Sequence, residues 1–138
     1  MSIFRALTMT GLLVGLTACG ASRTASWDQA PAAAASDVSK DAASALEAEG
    51  DDAWAKRLEE APLRLALEKW EEALTADPKN FQLMTKLARA YYFLGDNHLR
   101  LGGDSEGMKS YFEKGVAMGE KAMVSSSPEF EKRVKAGE

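Results

Sequence analysis

The chain has 138 residues, of which 46% are hydrophobic and 28% charged, and its formal net charge is −4. This length suits one domain with a leader, and no basic stripe is present that would predict nucleic-acid binding. A single cysteine excludes an internal disulfide bond. Abundant Ala, Glu, Leu and Lys, with few β-branched residues after position 40, predict an all-α fold.

The N-terminal segment has the features of a signal peptide. Arg5 precedes the uncharged stretch ALTMTGLLVGL (6–16), which is shorter than the roughly 20 residues that span a bilayer. The following residues, LTAC (16–19), resemble the bacterial lipobox. This resemblance implies that residues 1–18 are removed and that Cys19 carries the lipid anchor. The alternative is an ordinary secretory signal with an incidental cysteine.

The residues after Cys19 bear on location and on the connection to the domain. Asp directly after the cysteine is the usual inner-membrane retention signal, but Gly20 stands there. We therefore expect the periplasmic face of the bacterial outer membrane rather than the inner membrane. Residues 19–38 are rich in Ala, Ser and Gly without helical periodicity, and they predict a flexible linker. Trp27 within it either docks on the domain, lies at the lipid interface or is simply exposed.

Apolar residues at helical spacing predict a helical domain over residues 39–138. The five expected helices lie at about 39–58, 62–76, 81–99, 105–124 and 128–136. Asn80 is the predicted N-cap of the third helix, and Asp104-Ser105 supplies that of the fourth. Ser126-x-x-Glu129 predicts a capping box for the last helix.

Part of this domain resembles a tetratricopeptide repeat. In the second helix, Ala66, Trp70, Ala73 and Pro78 have the repeat's small, aromatic, small and Pro spacing. The small residues would let antiparallel helices approach closely, and the aromatic side chain would fill the space beside them. The third helix fits the first-helix positions of the next repeat with Met84, Leu87, Ala88 and Tyr91.

Other parts of the domain depart from this pattern. In the first helix, Gly50, Ala53, Trp54 and Arg57 fall where the consensus has large, large, small and aromatic residues. In the fourth helix, the small, aromatic and small positions hold Met108, Phe112 and Gly115. The segment at 97–107 adds about 8 residues to the roughly 34-residue consensus. We predict antiparallel helical hairpins forming a degenerate tetratricopeptide-repeat array, with a plain helical bundle as the alternative.

Several runs together resemble the TatT-like T-component family of TRAP transporters over nearly all of the mature chain. These runs are EAEGDDAWAKR (47–57), ALEKWEEALTADPKN (66–80), LARAYYFLGD (87–96), EKGVAMGEKAM (113–123) and SPEFEKRVKAGE (127–138). The resemblance implies a lipid-anchored periplasmic protein that partners a TRAP-type solute-binding protein in small organic acid uptake. The alternative is a general tetratricopeptide lipoprotein that serves as a scaffold for envelope or pilus assembly.

The family generally continues with further helices, whereas this sequence stops at Glu138. Phe130 and Val134 lie on one face of the last predicted helix, with no following segment to cover them. We expect either a truncated array or a fold completed by another chain, including a homo-oligomer. The alternative is that the last helix packs back on the fourth.

No residue set predicts catalysis, so we expect a binding protein rather than an enzyme. His98 is the only histidine and has no metal-ligand spacing around it. The sequence contains no nucleophile elbow and no phosphate-binding glycine loop. We therefore expect no cofactor and no metal.

One surface of the third helix is a candidate ligand or partner site. Its residues would line the concave side of a two-helix repeat: Gln82, Thr85, Arg89, Tyr92 and Phe93. Arg89 beside Tyr92 could bind a carboxylate of an acidic ligand or partner segment. The alternative is that Arg89 pairs with a glutamate of a neighbouring helix, while Tyr91 and Tyr92 serve only in packing.

Overall fold

The structure is a computed structural model that describes residues 39–137. Its elements are α1 (Lys40–Trp54), α2 (Glu60–Ala76), α3 (Phe81–Phe93), a π-helical segment (Leu94–Leu99), α4 (Ser105–Ser125) and α5 (Pro128–Lys135). No strand occurs in this part of the chain, so the predicted all-α fold class is confirmed. The predicted signal peptide, Cys19 and the linker with Trp27 lie outside the described residues. Within residues 39–137, no helix combines the length and apolar character needed to cross a bilayer.

The helices pack as two consecutive hairpins. The most extensive contacts join α1 to α2 and α3 to α4, and the contact between α2 and α3 holds the two pairs together. The sequence predicts antiparallel helical hairpins, and these contacts agree with that prediction. That the hairpins form a tetratricopeptide-repeat array stays a prediction. The last helix, α5, contacts α4. This agrees with the alternative expectation that the last helix packs back on the fourth.

Trp70 of α2 lies at the centre of the core. Its side chain is only 2% exposed, and its indole Nε1 donates a hydrogen bond to the backbone carbonyl of Glu47 in α1 at 3.2 Å. Gly50 lies directly against the indole, and a Cβ built on this glycine would collide with the ring. The absence of a side chain at position 50 therefore lets α1 approach α2 closely. This requirement accounts for a glycine where the repeat consensus has a large residue.

The helix caps agree with the sequence prediction at two of three places. The side chain of Asn80 accepts a hydrogen bond from Leu83 N at 3.0 Å, and Asp104 accepts one from Gly107 N at 2.9 Å. The prediction that Ser126 caps the last helix is wrong, because α4 continues through Ser125 and Ser126 becomes its C-cap. Ser127 caps α5 instead.

Two helix ends differ from the prediction. The α-helical part of α1 ends at Trp54, four residues before the expected end, and irregular turns follow. The predicted third helix changes to π-helical geometry at Leu94, where Arg100 N donates to the Gly95 carbonyl at 2.9 Å. The wider turn, together with the turn at 100–104, accommodates the extra residues between the third and fourth helices.

Candidate functional site

The five residues predicted to form a site on α3 do not form one group. Arg89 and Phe93 lie against Trp54 of α1. Tyr92 instead stacks on Phe112 of α4, with ring centroids 5.2 Å apart and an interplanar angle of 17°. The sequence prediction therefore combines residues from two different sides of the helix.

The remaining two predicted residues do not join either group. The hydroxyl of Thr85 donates to the carbonyl of Phe81 one turn earlier, at 2.8 Å. Gln82 is exposed near the start of α3. Of the five predicted residues, Arg89 and Phe93 are thus the two that lie together, against Trp54.

This environment is an aromatic and cationic group that we call the arginine–tryptophan cluster. Its members are Trp54, Arg57, Arg89, Phe93 and His98. The Cζ atoms of Arg57 and Arg89 lie 4.8 and 5.2 Å from the Trp54 ring centre. Trp54 and Phe93 meet edge to face with centroids 5.6 Å apart. Both guanidinium groups are therefore placed around one indole, within the range of a cation–π contact.

The π-helical segment positions His98 at the edge of the cluster. Its ring lies 6.2 Å from that of Phe93, and its Nε2 is 3.1 Å from the backbone carbonyl oxygen of Arg57. Because a carbonyl oxygen only accepts, this hydrogen bond requires the proton to be on Nε2. His98 thereby joins the turn that carries Arg57 to the end of α3.

The two arginines differ from the ion-paired cations of the domain. Within the described residues, neither Arg57 nor Arg89 has a carboxylate at ion-pair distance. By contrast, Lys86 binds Glu47 and Asp51 at 2.8 and 2.7 Å. Partial burial works to lower the pKa of Lys86, but these hydrogen bonds raise it overall. The cluster therefore carries two positive charges that no described carboxylate neutralises.

These guanidinium groups are accessible, because Arg89 is exposed and Arg57 is partly exposed. The contact with Trp54 restricts where they lie, and it leaves N–H donors of Arg89 free for an incoming acceptor. Arginine donors suit a carboxylate, which can accept two hydrogen bonds from one guanidinium. The arrangement can bind an anionic group that approaches from solvent.

Three members of the cluster were not among the predicted site residues: Trp54, Arg57 and His98. Trp54 and Arg57 are three residues apart, which is the spacing of neighbours on one helix surface. The repeat consensus has a small residue at position 54, so the resemblance to that repeat gives no reason to expect Trp54 at a binding surface. Nothing in the sequence predicts the π-helical geometry that places His98.

The described residues contain no group of three or more His, Cys, Asp or Glu side chains that could hold a metal ion. No family model, curated protein or solved structure matches this chain. Among the described residues, the charge and aromatic surface of the arginine–tryptophan cluster are the features that bear most directly on binding.

Proposed function

We propose that this chain is a lipid-anchored periplasmic binding and scaffold protein that partners a TRAP-type solute-binding protein in small organic acid uptake. The observation that carries this proposal is the pair of arginines, Arg57 and Arg89, which lie around Trp54 without a described carboxylate partner. The family resemblance suggests a TRAP-type solute-binding protein as the partner. The chemistry of the cluster suggests that the partner binds through acidic groups.

The cluster would receive an acidic segment of the partner. Carboxylates from that segment would pair with Arg57 and Arg89, and its apolar atoms would contact Trp54 and Phe93. Arginine and tryptophan are enriched among residues that dominate binding energy at interfaces. Binding of this kind needs no catalytic group.

The helical hairpins favour a second candidate, a general scaffold for envelope or pilus assembly. Exposed apolar side chains on α4 and α5 would suit this role, since Val116, Met123 and Phe130 are 48%, 52% and 37% exposed. In this alternative, α4 and α5 would contact the partner and the arginine–tryptophan cluster would contribute little.

The test is co-purification of the tagged, lipidated full chain from its own host in mild detergent. Bound proteins are identified and quantified by mass spectrometry for the wild type, the double variant R57Q/R89Q and the control R100Q. Arg100 is a suitable control because it is exposed and already paired with Asp96 at 2.8 Å.

We expect a near-stoichiometric TRAP-type solute-binding protein with the wild type and R100Q, and at least a tenfold smaller amount with R57Q/R89Q. Recovery of envelope-assembly proteins without any solute-binding protein would overturn the transport role. Equal recovery of the solute-binding protein with all three forms would place the contact elsewhere on the surface.

A further inference from the structure

A second feature lies between α2 and α4 and shares no residue with the arginine–tryptophan cluster. It is an open pocket of about 170 Å³. Its walls are formed by Arg64, Leu67, Glu68, Glu71, Tyr111 and Lys114. The pocket is small compared with most ligand sites, although a cavity of about 150 Å³ is sufficient for a molecule the size of benzene.

The positive side of the pocket is supplied by Lys114 and Arg64. Lys114 Nζ lies 4.7 Å from the Tyr111 ring centre and 5.9 Å from that of Tyr91. No carboxylate of the described chain lies at ion-pair distance from Lys114. Arg64 is held by Glu60 at 2.6 Å and by the Tyr111 hydroxyl at 3.2 Å. The aromatic rings therefore hold an unpaired ammonium group beside a fixed guanidinium.

The negative side is supplied by Glu68 and Glu71, which are one turn apart on α2. The hydroxyl of Tyr91 donates to Glu71 Oε1 at 2.5 Å, which fixes this carboxylate at the pocket wall. Burial, together with Glu71, raises the pKa of Tyr91, so this phenol stays protonated and continues to donate. Glu68 is exposed beside it. Two carboxylates thus face the same small space as two cations.

We propose that this pocket binds a small zwitterion of the free α-amino acid class. Lys114, with Arg64 beside it, would bind the carboxylate, and Glu68 with Glu71 would bind the ammonium group. The aliphatic side chain would lie against the partly exposed ring of Tyr111, while the buried Leu67 closes the pocket on its inner side. Lys114 and Glu68 are the charged groups of the pocket without an ion-pair or hydrogen-bond partner among the described residues. A ligand with a single charge would pair with only one of them, so the site favours a ligand that carries both charges.

The test is calorimetric titration of the full chain in mild detergent with three probes that share one branched aliphatic group. L-valine carries both charges, 3-methylbutanoate lacks the amino group, and 2-methylpropylamine lacks the carboxylate. We expect L-valine to bind at least tenfold more tightly than either single-charge probe. K114Q should weaken L-valine binding at least tenfold, since it removes the cation and keeps most of the side-chain volume.

The matched control is K109Q on the same helix. Lys109 lies outside the pocket and is paired with Glu106 at 2.9 Å, so K109Q should bind L-valine as the wild type does. Circular dichroism of both variants checks that α4 is intact. E68Q is the second probe of the site and should weaken L-valine binding while leaving 3-methylbutanoate unaffected.

Three results would overturn the assignment. They are equal affinity for L-valine and 3-methylbutanoate, an unchanged affinity of folded K114Q, or no binding of L-valine at millimolar concentration. None of them bears on the proposed partnership, because that partnership depends on Arg57, in the turn after α1, and on Arg89 of α3, neither of which lines the pocket.

Discussion

The α2–α3 region and the α4–α5 region are built in different ways. Five residues of α2 are buried, as are five of α3. In α4 only Ala122 and Val124 are buried, and α5 buries none. Apolar burial supplies most of the favourable free energy of folding. We therefore infer that the stability of the domain is concentrated where α2 meets α1 and α3.

The residues that stabilise the core are also different from those that form the two proposed binding sites. The side chains that define the core have little freedom to serve a ligand, because they are enclosed. Both proposed sites instead lie at the edges of this core, where a buried aromatic residue packs against a partly exposed one that in turn contacts a charged side chain. Trp70 packs against Trp54 with centroids 5.8 Å apart, and Tyr91 packs against Tyr111 at 5.9 Å. Damage to the core should therefore disturb both sites, whereas changes in α5 should disturb neither.

The largest expected effect tests this contrast directly. Trp70→Ala should lower the free energy of unfolding by about 3–5 kcal/mol, because it creates a large cavity at the centre of the core. Phe130→Ala in α5 should lower it by less than about 1 kcal/mol, since that ring is 37% exposed. Urea unfolding followed by far-ultraviolet circular dichroism measures both. Similar losses from the two substitutions would show that α5 contributes to stability as much as the core does.

The features of the fold that the sequence predicts are those set by local patterns. The apolar face of the second helix, the cap at Asn80 and the overall helical class follow from spacing and residue type within one segment. The end of α1 and the π-helical segment depend on contacts between segments, such as the hydrogen bond from His98 to the Arg57 carbonyl. Such contacts cannot be read from periodicity along one helix.

The candidate site was predictable only in part, for a related reason. Arg89 and Phe93 are predictable from the sequence because they share a face of one helix. The residues that complete their environment come from another part of the chain: Trp54 ends α1 and Arg57 lies in the turn after it. This part of the chain matches the repeat pattern poorly. The sequence predicts a carboxylate-binding role for Arg89, but it does not predict the second arginine around the same indole.

The next effect tests the close approach of α1 to α2. Gly50→Ala should destabilise the domain by about 1–3 kcal/mol, because the new methyl group meets the rigid Trp70 indole and its backbone cannot easily move away. The control is Gly119→Ala in α4, where the nearest atom to a new Cβ is Ala88 Cβ at 4.0 Å.

Gly119→Ala should be neutral or should stabilise the domain by up to about 1 kcal/mol, since alanine favours a helix more than glycine does. Urea unfolding of the two variants separates steric conflict from helix propensity. If Gly50→Ala were also neutral, α1 would be able to shift on Trp70, and the restriction inferred for position 50 would be wrong.

The smallest effect concerns Tyr91, which links the core to the pocket. Burial and then the hydrogen bond to Glu71 raise the pKa of Tyr91 above the usual value of 10.0. The folded state therefore holds this proton more tightly than the unfolded state does. The resulting stability is fully present below pH 10 and is lost as the pH rises above it, at no more than about 1.4 kcal/mol per pH unit.

Tyr91→Phe removes this titration and the hydrogen bond to Glu71. It should cost about 1 kcal/mol at pH 7, because Glu71 is exposed and water can replace the lost donor. Lys86 also has a raised pKa and loses its stabilising charge at alkaline pH, so the wild type and the variant should both become less stable there. Only the difference between their free energies of unfolding reports on Tyr91. Measured by urea unfolding, this difference should shrink between pH 10 and pH 11. A difference that stayed constant would mean that the Tyr91 phenol titrates alike in the folded and unfolded chain, and the pocket wall would lack the fixed donor on which the placement of Glu71 depends.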